Sequence, residues 1–232
     1  MDSNKKIART AGLLYLIVVV TGIVSLIYVP SQITVHGDSS ATMRNIAASK
    51  SLFQLGIVAG LICYTAFLVL PLALFKLLSP VGRNAAALMV ALAVASVPIS
   101  FISLLYKLDV LTLLSGADYL QGFTTNQLQA QVMLSLDAYS NGVLLSSVFW
   151  GLWLLPFGYL VFKSAFLPRV LGVLLMIGCF GDLYDVLGRM LFPSYVDTAI
   201  ANFVTLPGSF GEIGICLWLL IMGVRETTRS VG

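Results

Sequence analysis

Asp182, Asp185 and Arg189 are three charged residues in a stretch, Val170 to Phe192, that is otherwise apolar enough to cross a membrane. At 100° per residue they fall within about 60° of one another on one helix face, with Asp185 and Arg189 one turn apart. A helix entering the bilayer at Val170 carries Asp182 about 18 Å along its axis, near the membrane centre. A carboxylate there costs about 2.5 to 3.5 kcal/mol on insertion scales unless it is neutralised, hydrated or protonated. Two chemistries fit these residues. They form a buried ion-pair cluster that holds helices together, or they line a polar cavity or proton site, the default functional reading of ionisable groups inside a membrane.

Asp137 and Asn141 form a second pair one turn apart, with Tyr139 and Ser140 between them. They face the Asp182 cluster across the bundle, or they are polar contacts joining neighbouring helices. The run Ser209-Phe-Gly-Glu212 has the spacing of a capping box, in which Glu212 satisfies free N–H groups at the positive end of a helix. Cys63, Cys179 and Cys216 each sit in an apolar run without a Cys-x-x-Cys pair and read as small packing residues. With a single histidine, His36, the chain has too few ligands for a classical metal site, and no cofactor is expected.

The elements that must position these residues follow from composition. Of 232 residues, 59% are apolar and 10% charged, against about 25% charged in soluble domains. Lipid is therefore the main solvent of the chain, and a single membrane domain over residues 1–232 is expected. Six spans are predicted, at about 10–29, 52–78, 85–106, 133–162, 170–192 and 208–224. Asp38 or Ser39 opens a short helix after the first span, and Ser79 to Asn84 makes a tight turn. Pro98 should kink the third span, and Lys107 and Asp109 mark its exit. Thr124 and Gln127 form a capping box that begins the fourth helix well before its apolar part. Pro193 stops the fifth span, and 195–203 is a short interfacial helix. Gly56 and Gly60 have the Gly-x-x-x-Gly spacing of close helix contact, within the bundle rather than between copies.

Charge sets the expected threading. With a cytoplasmic N-terminus, nine basic residues (Lys5, Lys6, Arg9, Lys76, Arg83, Lys163, Arg169, Arg225, Arg229) lie inside and four (Arg44, Lys50, Lys107, Arg189) outside. This satisfies the positive-inside rule with both termini cytoplasmic. Only Asp2 and Glu226 are acidic residues on the inner side, so the outer half is acidic. No dense basic block points to nucleic acid as a partner. The Gly-x-Ser-x-Gly, His-Glu-x-x-His, Walker and dinucleotide-binding patterns are all missing, which leaves an enzyme as the third reading.

Four stretches together resemble a bacterial multi-pass membrane family, domain of unknown function 4386. They are Ala11-Gly-Leu-Leu-Tyr15, Phe149-Trp-Gly-Leu-Trp-Leu-Leu-Pro-Phe-Gly158, Leu167-Pro-Arg-Val-Leu-Gly172 and Gly211-Glu-Ile-Gly-Ile-Cys-Leu-Trp218. The resemblance implies a protein of the bacterial inner membrane, in contact with lipid, and supplies no substrate, cofactor or active-site residue. The expected fold is an all-α polytopic bundle of six transmembrane helices with cytoplasmic N- and C-termini. The leading functional expectation is non-enzymatic binding or transport of a small solute or ion through an outward-facing cavity lined by Asp182, Asp185, Arg189, Asp137 and Asn141. The rival is a scaffold or sensory subunit whose charges are structural pairs.

Overall fold

The computed structural model describes residues 3–35 and 37–224. Asp2, His36, Arg225, Glu226 and Arg229, which enter the sequence reading, lie outside the described residues. The regular elements of the described residues are helices: α1 (Ser3–Gly22), a π-helical turn (Ile23–Tyr28), α2 (Val29–Ile33), α3 (Ser39–Ala48), α4 (Lys50–Leu78) and α5 (Arg83–Leu113). They are followed by α6 (Thr125–Lys163), α7 (Arg169–Leu191), α8 (Ala199–Phe203) and α9 (Leu206–Ile221). Six helical stretches are long and apolar enough to span a membrane: Asn4–Ile33, Lys50–Leu78, Arg83–Leu113, Thr125–Lys163, Arg169–Leu191 and Ala199–Ile221.

Each long helix packs against the next in the chain, and α9 returns to pack against α1, so the six close a ring. The outward faces carry Leu55, Val58, Ile62, Ile102 and Leu105 at roughly half exposure, surface that only lipid can cover favourably. Inside, Trp153 stacks on Phe157 with ring centroids 5.1 Å apart, and meets Phe67 edge-on at 5.1 Å. Small residues let the ring close tightly. A Cβ on Gly158 would stand 2.6 Å from the carbonyl oxygen of Gly172, which places the α6 and α7 backbones in direct contact. Gly56 and Gly60 face Val29, Leu104 and Ser25 of the same chain.

Several local signals fold as their residues dictate. The Asp38 side chain accepts from the Ala41 N–H at 2.8 Å and caps α3. Thr124 and Gln127 form both bonds of a capping box at the start of α6. At 39 residues α6 runs roughly 58 Å, well beyond a hydrocarbon core of about 30 Å. Helices α4, α5 and α6 pass through Pro71, Pro98 and Pro156 without interruption.

Three boundaries differ from expectation, each for a local reason. The first span continues through Pro30 to Ile33 because the π turn precedes the proline. There Val29 donates to the carbonyl of Val24, five residues back, and widens the helix where a proline ring would otherwise collide. The third span does not end at Lys107, since α5 continues to Leu113 and Lys107 is buried at 3% exposure. The last helix opens at Leu206, with Pro207 in its first turn where a missing N–H costs nothing. Ser209 therefore lies inside the helix. Its hydroxyl donates to the Thr205 carbonyl at 3.3 Å, and the Ser209–Glu212 capping box does not form.

Candidate functional site

Without its capping role, Glu212 points elsewhere. The Tyr15 hydroxyl on α1 donates to Glu212 Oε1 at 2.7 Å, a bond between residues 197 apart in sequence. Two neighbouring contacts place it. Gly12 lets α1 approach the backbone of Leu219 and Leu220, and the Cys216 thiol lies 3.7 Å from the Gly12 carbonyl oxygen. Beyond Tyr15 the two helices take different partners. The π turn of α1 leans on α4, where Ser25 and Val29 fill the space above Gly60 and Gly56.

The resulting recess has a volume of about 440 Å³, within the usual range for small-molecule sites. Its polar groups are the Asp182 and Glu212 carboxyls, the hydroxyls of Tyr15, Tyr64 and Ser209 and the Cys63 thiol, and its walls include Phe67, Trp150 and Trp153. Among the described residues, no lysine or arginine lines it. Asp182 is partly buried and is held close to α6, where a Cβ on Gly151 would stand 2.9 Å from the Asp182 Cβ. Asp182 and Glu212 are electrostatic neighbours, so two acidic groups from α7 and α9 share one mostly apolar space. Tyr15→Phe is expected to destabilise the fold by about 1 to 3 kcal/mol, because Glu212 then loses its one hydrogen bond among the described residues. The Tyr15→Phe, Glu212→Leu double variant should recover much of that loss in thermal unfolding, since no unsatisfied carboxyl remains.

The five sequence-predicted cavity residues are not brought into one site. Asp185 pairs with Arg189, Nε to Oδ2 at 2.7 Å along α7, as their one-turn spacing predicts. Arg189 is substantially exposed at 42% of its side chain, so this pair contributes little on its own. The Tyr195 ring covers Gly188 beside it, and burial together with the Asp185 charge raises the Tyr195 phenol above its usual range. Asp137 lines a different pocket of about 480 Å³ with Lys107, Tyr139 and Ser147, and Asn141 is exposed outside both spaces.

Tyr15, Glu212 and Lys107 went unread as site residues. The available signal was the same one that marked Asp182: an ionisable group with apolar residues on both sides. For Glu212 the capping pattern gave a sufficient local explanation, and for Lys107 the adjacent Asp109 resembled the end of a span.

Comparison with known proteins adds kinship and no chemistry. A 30% identical stretch of 152 residues, covering 65% of this chain and 73% of the relative, matches an uncharacterized protein of Archaeoglobus fulgidus. No solved structure matches. The family model described as Domain of unknown function (DUF4386) matches residues 10–223, and with nearly the whole ring of helices inside that match, the chain belongs to this family.

Proposed function

We propose that this multi-pass membrane protein binds, and moves across or along the bilayer, a small apolar solute carrying a positive charge, held in the recess between α1, α4, α6, α7 and α9. The observation that supports this reading is the pairing of Asp182 and Glu212 in an aromatic-walled space with no basic side chain in its lining. Carboxylates draw a cation electrostatically, and the faces of Tyr15, Tyr64, Trp150 and Trp153 suit the same cation through their negative quadrupoles. The apolar walls desolvate the rest of the molecule. The distribution of lysine and arginine supports cytoplasmic termini, in which case the recess belongs to the outer half of a plasma membrane. For Asp185 and Arg189, whose charges already satisfy each other, a structural role is the better reading.

Tetraphenylphosphonium binding to the purified protein in phosphatidylcholine nanodiscs tests the proposal. Asp182→Asn and Glu212→Gln should each weaken it by about tenfold or more, the weight of one charge-assisted contact. Asp185→Asn should change it by less than about threefold, given its partnership with Arg189. Equal affinity in wild type and Asp182→Asn would overturn the assignment.

A further inference from the structure

Lys107 presents a second problem. Its side chain is 3% exposed, on α5, in a part of the bundle built mainly from Val29, Ile33, Phe53, Leu136 and Val143. Its ammonium lies 4.0 Å from the centroid of the Tyr139 ring and reaches one protein oxygen, the Ser25 carbonyl, at a long 3.5 Å. No carboxylate pairs with it among the described residues; Asp137, on the same pocket wall, is exposed and takes no part. A buried charge with so few partners is unusual.

The hydroxyls of Ser25, Tyr64 and Tyr139 are buried beside Lys107, with Tyr139 neighbouring the other two. Sequence explains why the Ser25 carbonyl is open to Lys107. In a π turn each N–H bonds five residues back, as Val29 does to Val24. The next rung would run from residue 30 to Ser25, and residue 30 is proline, which has no N–H. The Ser25 carbonyl is left for Lys107, and π turns of this kind recur at functional sites.

We propose that Lys107, with the Tyr139 side chain beside it, is the anion end of a second binding site, and that its ligand is a monocarboxylate with an apolar body. One cation and one neutral hydroxyl match a single negative charge, and the apolar walls of the 480 Å³ pocket match a hydrocarbon or aromatic body. The site is separate from the acidic recess: of the residues lining the two spaces only Leu26 and Trp150 are shared. Asp137 at the pocket wall opposes the anion and weakens the site without abolishing it.

Binding of radiolabelled octanoate to the full protein in phosphatidylcholine nanodiscs, corrected against protein-free discs, reads this out. Saturable binding is expected, weakened about tenfold or more by Lys107→Met and by less than about threefold by Lys107→Arg. Tyr139→Phe, which keeps the charge, should weaken it several-fold, and Asp137→Asn should tighten it. Asp182→Asn should leave it unchanged, which separates this site from the proposed cation recess. No octanoate binding by wild type, or undiminished binding by both Lys107→Met and Tyr139→Phe, would overturn the proposal.

Discussion

Gly178→Ala is expected to destabilise the folded bundle by about 3 kcal/mol or more, while Gly208→Ala, on the other side of the same contact, should cost clearly less. A Cβ on Gly178 would stand 2.3 Å from the Gly208 Cα and 2.8 Å from its nitrogen. Both are backbone atoms of α9, so no rotamer change relieves the overlap and the two helices must separate. A Cβ on Gly208 meets the Gly178 Cα at 3.2 Å, which a shift of a few tenths of an ångström accommodates. The asymmetry distinguishes a direct backbone contact from a general loss of small residues. Gly122→Ala, with no atom within 4 Å of the added carbon, is the neutral control. Thermal unfolding in detergent, followed by tryptophan fluorescence, measures all three; equal losses at 178 and 208 would contradict the geometry. The effect reaches function because α7 carries Asp182 and α9 carries Glu212. Any Gly178→Ala protein that remains folded should hold its two carboxyls farther apart and bind a hydrophobic cation less tightly.

The same contact shows what a single sequence conveys about this chain. The six spans were legible because lipid imposes a one-dimensional rule: apolar runs long enough to cross it, closed by Pro193 or opened by Thr124 and Gln127. The Asp38 cap was legible for a similar reason, since its partner is three residues away. Partners across the ring were not. Nothing within α9 indicates that Glu212 meets Tyr15, and the local pattern Ser209 to Glu212 offered a complete but incorrect alternative. Pro207 decided the outcome, because it suits a first helical turn and so starts α9 earlier than the capping box would. Of the expected cluster of Asp182, Asp185 and Arg189, the Asp185–Arg189 pair one turn apart is present, and Asp182 lines the recess instead. Three residues along a helix are enough to turn Asp185 toward Arg189 and Tyr195 while Asp182 faces the recess.

Lys107→Met should raise the melting temperature of the protein, even though it removes a hydrogen bond and a ring contact. The terms lost are small: a contact between the ammonium and the Tyr139 ring, about 0.5 to 2 kcal/mol, and a 3.5 Å bond to the Ser25 carbonyl, on the order of 1 kcal/mol at most. The term gained is larger, because burying an ion among apolar groups costs several kcal/mol, and even a paired buried charge is often replaced by apolar groups of similar volume at no loss or with a gain of about 1 to 4 kcal/mol. Methionine has the length and flexibility to fill the same space against Val29 and Leu136. One debt remains after the exchange, since the Ser25 carbonyl loses its donor while Pro30 still cannot supply one. Pro30→Ala in the same background restores an N–H at that rung and should raise the melting temperature further. A fall on Lys107→Met, reversed by Pro30→Ala, would identify the ammonium as a strut for the π turn. A rise, together with lost octanoate binding, would mean that the lysine opposes folding and serves the ligand, because an unfolded protein cannot melt at a higher temperature.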